Sequence, residues 1–295
     1  MNTTRDMAAE VTTWAAGNEN VQVVLLTSSR ANPRAPVDIL SDYDIELYVE
    51  DLQPFLDDGW LNALGEIIIR EPAFPQTSED GNAGCMVIFA DAPRIDFGVE
   101  LTSELKRVQQ EGGYERDIGY RVLLDKDRLM EGSVPPTNSE FDTSQPTQAE
   151  FSETVNTFWW DITYVAKCLV RDEFYFAKHM LDVSLHHDLL GKVISWHIGM
   201  DSNWKSNPGV NGRWFKRQID PGVWADIETT FAGADPQDNW RAMYQTAKVF
   251  SRLATEIASR LGYPYPEKLE CDVTRYLKDI QELGESGALN AAPAV

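Results

Sequence analysis

Two aspartates one residue apart, Asp42 and Asp44, sit in the stretch Ser41-Asp42-Tyr43-Asp44-Ile45-Glu46-Leu47-Tyr48-Val49. At a period of two, Tyr43, Ile45, Leu47 and Val49 share one face of an extended strand, and Asp42, Asp44 and Glu46 share the other. Carboxylates so placed stand about 6–7 Å apart, twice the rise of one strand residue. Like charges at that distance repel and raise one pKa unless a cation lies between them. A hard divalent ion suits the gap, because Mg²⁺ usually takes one or two carboxylates plus substrate phosphates. A strand with a solvated polar face has the same spacing, so the pair gains meaning only from its surroundings.

Those surroundings point to phosphate chemistry. The apolar run Val21 to Leu26 suits a buried strand and ends in the small polar turn Ser28-Ser29-Arg30. Small residues at such a turn let backbone N–H groups approach a phosphate. Twelve residues separate Ser29 from Asp42. Further on, Arg94 to Leu101 reads as a strand with Ile95, Phe97 and Val99 on one side and Arg94, Asp96 and Glu100 on the other. Three carboxylates on two strands can hold metals that bridge phosphates and activate an attacking oxygen.

The elements that must position these groups follow in order. Residues 4–16 read as a helix with Met7, Val11 and Trp14 on one face, ended by Gly17-Asn18. Pro54 to Leu64 reads as a helix started by proline. Ile67 to Ile69 and Cys85 to Phe89 read as strands, and the turn Asp91-Ala92-Pro93 pairs the latter with the Asp96 strand as a hairpin. Residues 102–111 suggest a helix and Tyr120 to Leu124 a last strand. Residues 71–84 are turn-rich, and 132–146, rich in Pro, Ser and Thr, read as a linker.

After the linker the pattern turns helical. Thr147 and Glu150 form a capping box ahead of Phe151, Val155, Phe158, Ile162, Val165 and Leu169. A second long helix spans about 174–199. Asp220-Pro221 and Asp235-Pro236 each place an N-cap before a first-turn proline. A last helix covers 266–283, with a frayed tail after it. The expected fold is α+β: a mixed sheet with flanking helices over residues 1–135, then an all-helical bundle over 147–295. Trp159, Trp160 and Trp196 fall at core spacing.

Composition sets outer bounds. A chain of 295 residues with 43% hydrophobic and 11% aromatic residues has the material for two cores. Forty-seven acidic against 26 basic residues give a net charge of −21, which argues against a nucleic-acid footprint and favours cationic ligands. The three cysteines, Cys85, Cys168 and Cys271, are too scattered for a disulfide framework and read as buried small hydrophobes. The N-terminus lacks a signal-peptide pattern and no apolar run reaches 18 residues, so a cytoplasmic protein without a membrane partner is expected. His179 and His186 lie two helical turns apart, about 10 Å, too far for one zinc. No Walker-type or Rossmann-type glycine loop is present.

Taken together, LLTSSRANPRAPVDILSDYDIELYV, LGEIIIREP and PRIDFGVEL resemble the aminoglycoside 6-adenylyltransferases, streptomycin-modifying enzymes of the nucleotidyltransferase superfamily. In the helical half AKHMLD, LLGKVISWHIG, GRWFKRQIDPGVWADIETTFAGADPQDNWRAMYQTAKVF and LGYPYPEKLECDVTRYLKDI agree, so the resemblance spans about 1–283. Two positions depart from the pattern. Ser28 stands where the family has glycine, and Asn207 to Arg213 replaces a lysine-bearing segment.

The resemblance implies transfer of AMP from ATP to an aminoglycoside hydroxyl, with release of pyrophosphate. It implies Mg²⁺ as cofactor, held by Asp42 and Asp44, with Asp96 as a further metal ligand or as the base. Ser28, Ser29, Lys178, Lys205 and Lys216 are the implied nucleotide contacts. Arg30 is either another phosphate contact or a strand-end salt bridge. For the cationic acceptor, Glu100, Asp161, Asp182 and Asp188 are the candidate ligands. A monomer or weak homodimer is expected. Two alternatives remain: nucleotidyl transfer to another small hydroxylated metabolite or a protein side chain, and a silent nucleotide-binding relative.

Overall fold

The computed structural model describes residues 5–73, 83–111 and 117–286. The chain forms two compact units, residues 1–140 and 141–295.

The first unit is built on a six-stranded mixed sheet: β1 (Val21–Thr27), β2 (Tyr43–Val49), β3 (Ile67–Glu71), β4 (Ala83–Phe89), β5 (Arg94–Leu101) and β6 (Tyr120–Asp125). Their order is β3-β4-β5-β2-β1-β6. Only β2 and β5 run parallel; the other neighbours are antiparallel. The continuous apolar run of β1 has a physical reason, since its residues are covered on both sides. Val24 and Leu26 join the core under α1 (Met7–Gly17), while Val23 and Leu25 join a smaller core with Tyr48, Leu105, Val108 and Met130. β2 alternates as expected, with Tyr43, Ile45, Leu47 and Val49 buried against α1. β4 and β5 form the antiparallel hairpin.

One expectation fails here. Residues 54–64 form no single helix, only a 3₁₀ turn over Gln53–Phe55 and a short helix over Gly59–Asn62. The Asp57 carboxylate accepts the Gly59 N–H at 2.7 Å, a local turn that competes with helical continuation. Residues 102–111 are helical throughout as expected, though with a 3₁₀ start, Thr102–Glu104, and a π end, Arg107–Glu111. Much of the turn-rich 71–84 stretch and most of the tail lie outside the described residues.

The second unit is helical: α2 (Gln148–Val170), α3 (Phe174–Lys178), a π-helical segment His179–Leu190, α4 (Gly191–Asp201), α5 (Pro221–Glu228), α6 (Pro236–Leu261) and α7 (Glu267–Glu285). The capping box forms as expected, with Thr147 and Glu150 each bonding the other's backbone N–H. Asp220 and Asp235 cap α5 and α6, each followed by proline at the first helical position. Phe158 and Phe250 stack in the core at 3.6 Å between centroids. Trp159 and Trp196 are buried there, but Trp160 is 63% exposed because it follows the inward Phe158-Trp159 pair onto the outer face of α2. Cys85 and Cys168 are buried as expected, and Cys271, on the outer face of α7, is exposed. Among the described residues no helix is long and apolar enough to cross a membrane.

Candidate active site

The parallel pairing of β2 with β5 sets Asp44 directly opposite Asp96. Neighbouring strands are about 4.8 Å apart, so two carboxylates share one edge of the sheet. Asp42 enters from the residue before β2, and on its other side β2 sets Asp44 opposite Thr27 of β1. The electrostatic consequence is plain at Asp44. Burial first, and then the charges of Asp96 and Asp42, push its pKa up to about 6, against smaller opposing effects from a Ser28 hydrogen bond and Arg94. The acid cluster therefore carries more negative charge than its neighbours balance, the condition that a bound divalent cation relieves.

One cation is already present. Arg94, on the same face of β5 two residues before Asp96, donates Nε and Nη2 to the two Asp96 oxygens at 2.6 and 2.5 Å. Its Nη1 lies 4.0 Å from Asp42 Oδ2. The side chain went unassigned in the sequence reading, although its period-two spacing from Asp96 was visible. Gly98, two residues beyond Asp96, leaves the space that the Glu46 carboxylate occupies: a Cβ there would lie 1.7 Å from it, and the Glu46 side chain would have to move. Glu46 thus adds a fourth acid beside the cluster.

The donor set fits Mg²⁺. All the groups are hard oxygens, and their mutual repulsion is unrelieved at Asp44. Among the described residues no group of three or more His, Cys, Asp or Glu side chains is arranged to hold a metal ion by itself.

The turn ahead of the acids is strained. Ser28 takes φ +59°, in the left-handed region that glycine enters freely and serine does not. Its N–H is committed to the Gly119 carbonyl at 3.1 Å. Ser29 follows in the same helical turn, Ser28–Ala31. Among the described residues Arg30 forms no ion pair, and its hydrogen bonds run to backbone. Its guanidinium donates to the carbonyls of Asp42, Ser41 and Asp38 at 3.0, 2.8 and 3.3 Å, and lies 3.8 Å over the Tyr43 ring. It ties the loop that delivers Asp42 back to the turn, a long-range contact that no spacing rule reveals.

Ser28, Ser29, Arg30, Asp42, Asp44 and Asp96 are thus gathered within the first unit. Glu100, further along β5, faces Arg107 at 3.5 Å. The remaining candidates belong to the second unit and are mostly occupied by neighbours. Lys178 Nζ donates to Asp182 at 2.9 Å and to the Ala232 carbonyl at 3.0 Å. Asp161 accepts from Ser184 at 2.5 Å. Lys216 pairs with Glu228 at 3.1 Å. Lys205 is exposed and forms no ion pair among the described residues. Asp188 lines a cavity with His186 and Lys192.

The comparisons with known proteins concern nearly the whole chain. A family model described as streptomycin adenylyltransferase matches residues 1–280. An aminoglycoside 6-adenylyltransferase of Bacillus subtilis (strain 168) is 30% identical over 274 residues, covering 90% of this chain and 94% of its own. One from Campylobacter jejuni is 30% identical over 291 residues, covering 94% and 97%. A crystal structure of an aminoglycoside 6-adenyltransferase from Bacillus subtilis aligns at TM-score 0.46 and 22% identity, over 95% of this chain and 99% of that one.

Proposed function

This chain belongs to the streptomycin adenylyltransferase family, and on that premise we propose that it transfers AMP from Mg·ATP to a hydroxyl of an aminoglycoside, streptomycin first among them, releasing pyrophosphate. The family supports adenylyl transfer to an aminoglycoside; the metal, the nucleotide and the acceptor named here go a step further. The observation that carries the reading is the Asp44–Asp96 register pair with Asp42 beside it.

In this reading Asp42 and Asp44 hold Mg²⁺ against the triphosphate. When bound, the ion offsets phosphate charge and lowers the barrier to attack by the acceptor oxygen. Arg94 fixes the plane of the Asp96 carboxylate through two parallel hydrogen bonds. So oriented, Asp96 takes the proton of the acceptor hydroxyl or joins a second metal position. The Ser29 hydroxyl and backbone meet the terminal phosphates. Lys178, Lys205 and Lys216 add positive charge to the phosphates in this reading, and of these Lys205 has no ion pair among the described residues. Glu100, Asp161, Asp182 and Asp188 are the carboxylates offered to the cationic acceptor, a class that the net charge of −21 also attracts. Residues 1–135 carry the transfer chemistry and 147–295 serve nucleotide and acceptor, in a cytoplasmic monomer or weak homodimer.

The test is pyrophosphate release from Mg·ATP across a panel of aminoglycosides, with the product weighed for added AMP. Release that depends on streptomycin is expected. No acceptor-dependent release across the panel overturns the proposal. A second reading keeps the chemistry and moves the acceptor to another hydroxylated small molecule. Ser28 in a left-handed conformation, where the family pattern has glycine, favours including such compounds in the panel.

A further inference from the structure

Among the described residues one methionine stands apart from the rest. Met7, Met130, Met180, Met200 and Met243 are buried in the cores, whereas Met86 is 37% exposed. A thioether that solvent reaches is open to oxidation, and the product is a polar, chiral sulfoxide.

Met86 lies beside the acid cluster. The antiparallel register of β4 with β5 sets it opposite Asp96, and the parallel register of β5 with β2 sets Asp96 opposite Asp44. The three residues form one row across the sheet, on the face turned away from α1. Arg94 ties two of them together. Its Nη2 donates to Asp96 Oδ2 at 2.5 Å and to Met86 Sδ at 3.0 Å, while its Nε holds the other Asp96 oxygen at 2.6 Å. Nη2 carries two protons, so it serves both acceptors at once. The guanidinium is wedged between a carboxylate and a thioether.

The thioether fits there because it is soft and only a weak acceptor. Oxidation by hydrogen peroxide changes that. A sulfur lone pair attacks one peroxide oxygen and the O–O bond breaks. The other oxygen leaves as water with both protons, so sulfur is oxidised and peroxide reduced. An oxygen added on the Arg94 side has no room inside the 3.0 Å contact between Sδ and Nη2. Added on the other side, it leaves sulfur as the positive end of the S–O dipole, facing a cation. Either epimer displaces the guanidinium, and the two parallel bonds that fix Asp96 depend on its plane.

We propose that Met86 is an oxidative modification site, and that its sulfoxide disables Asp96 by displacing Arg94. The effect on activity rests on the transfer reading; the modification and the ion affinity of the acid row do not.

The experiment treats the full-length chain with millimolar hydrogen peroxide and maps the added oxygen by peptide mass. It is run in a Cys271→Ser background, because that thiol is exposed as well. Met86 gains its oxygen ahead of the five buried methionines. The kcat for AMP transfer then falls about tenfold or more, with the KM for ATP little changed, as expected for a misplaced reacting group. In calorimetric titration without nucleotide, Mn²⁺ binds about threefold tighter or more, because Arg94 no longer offsets Asp96. A methionine sulfoxide reductase with thiol reverses both changes. Met86→Leu keeps transfer within about twofold and resists peroxide, since only a weak acceptor is lost. Met86→Gln, with an amide oxygen near the place of the sulfoxide oxygen, lowers kcat without peroxide. Oxidation of the buried methionines no later than Met86 overturns the proposal. So does a Met86 sulfoxide that leaves both kcat and Mn²⁺ affinity unchanged, or equal peroxide loss in Met86→Leu. If the untreated chain transfers AMP to no acceptor, the transfer reading alone has failed, and mass mapping with Mn²⁺ titration still decides this proposal.

Discussion

The two units handle charge in opposite ways. In the sheet unit, like charges are crowded: Asp42, Asp44 and Asp96 share one edge with Arg94 as their neighbouring cation, and Ser28 beside them is strained. In the helical unit, the acids and bases singled out for ligand binding mostly have partners, as in Lys178–Asp182, Asp161–Ser184 and Lys216–Glu228. Unrelieved repulsion marks a place where something is meant to bind, whereas a paired surface charge is worth little either way. The difference is what supports placing the proposed transfer chemistry in the sheet unit.

The largest test of that contrast is Asp44→Asn. Loss of AMP transfer by about two orders of magnitude or more is expected, together with equal or higher thermal stability. The sign follows from the shift of Asp44 from 3.8 to about 6. Between those values the folded chain binds more protons than the unfolded one, so stability falls as pH rises through the window, by up to about 3 kcal/mol in chelator. A variant that keeps activity, or melts lower at pH 7, breaks the contrast.

Arg30→Ala comes next. It frees three loop carbonyls and a ring face, and about 2 kcal/mol of stability should go with them. The half-saturating Mg²⁺ concentration should rise, because Asp42 is less well delivered. Arg30→Lys should recover little, since an ammonium has no planar fork to span the carbonyls of residues 38, 41 and 42. Full rescue by lysine in urea melts would show that charge alone matters there.

A comparable pH effect of opposite sign belongs to the helical unit. His186 moves from 6.5 down to about 4, so the unfolded chain binds the extra proton and stability is lost as pH falls through that range. Up to about 3 kcal/mol is at stake. His186→Gln should flatten this slope while leaving the Asp44 slope in place. If one substitution removes both, the two regions are not independent. The smallest effect expected is at Ser28→Gly, a gain of about 1 kcal/mol from relief of the left-handed backbone, read as a higher melting temperature.

Local signals were legible in the sequence. The Thr147–Glu150 box and the Asp220 and Asp235 caps depend on residues within one turn, so residue types alone specified them. The alternation of β2 and β5 was legible too, because one buried face imposes a period of two. Residues 54–64 misled because an aspartate side chain took a backbone N–H that a helix needed. Trp160 and Cys271 misled because periodicity marks a helix face without saying how wide the buried stripe is.

What the sequence determined by itself was the set of acids, their face on each strand, the Ser28 anomaly and the division into sheet and helices. What only the tertiary structure decided was which charges meet. The parallel register sets Asp44 against Asp96, and Arg94 folds onto Asp96. Arg30 reaches three carbonyls eight to twelve residues away, and His186 finds Thr230 at a separation of 44 residues. The physical reason is common to all of them. Coulomb and hydrogen-bond energies depend on distances in space, and only closure of the chain sets those distances.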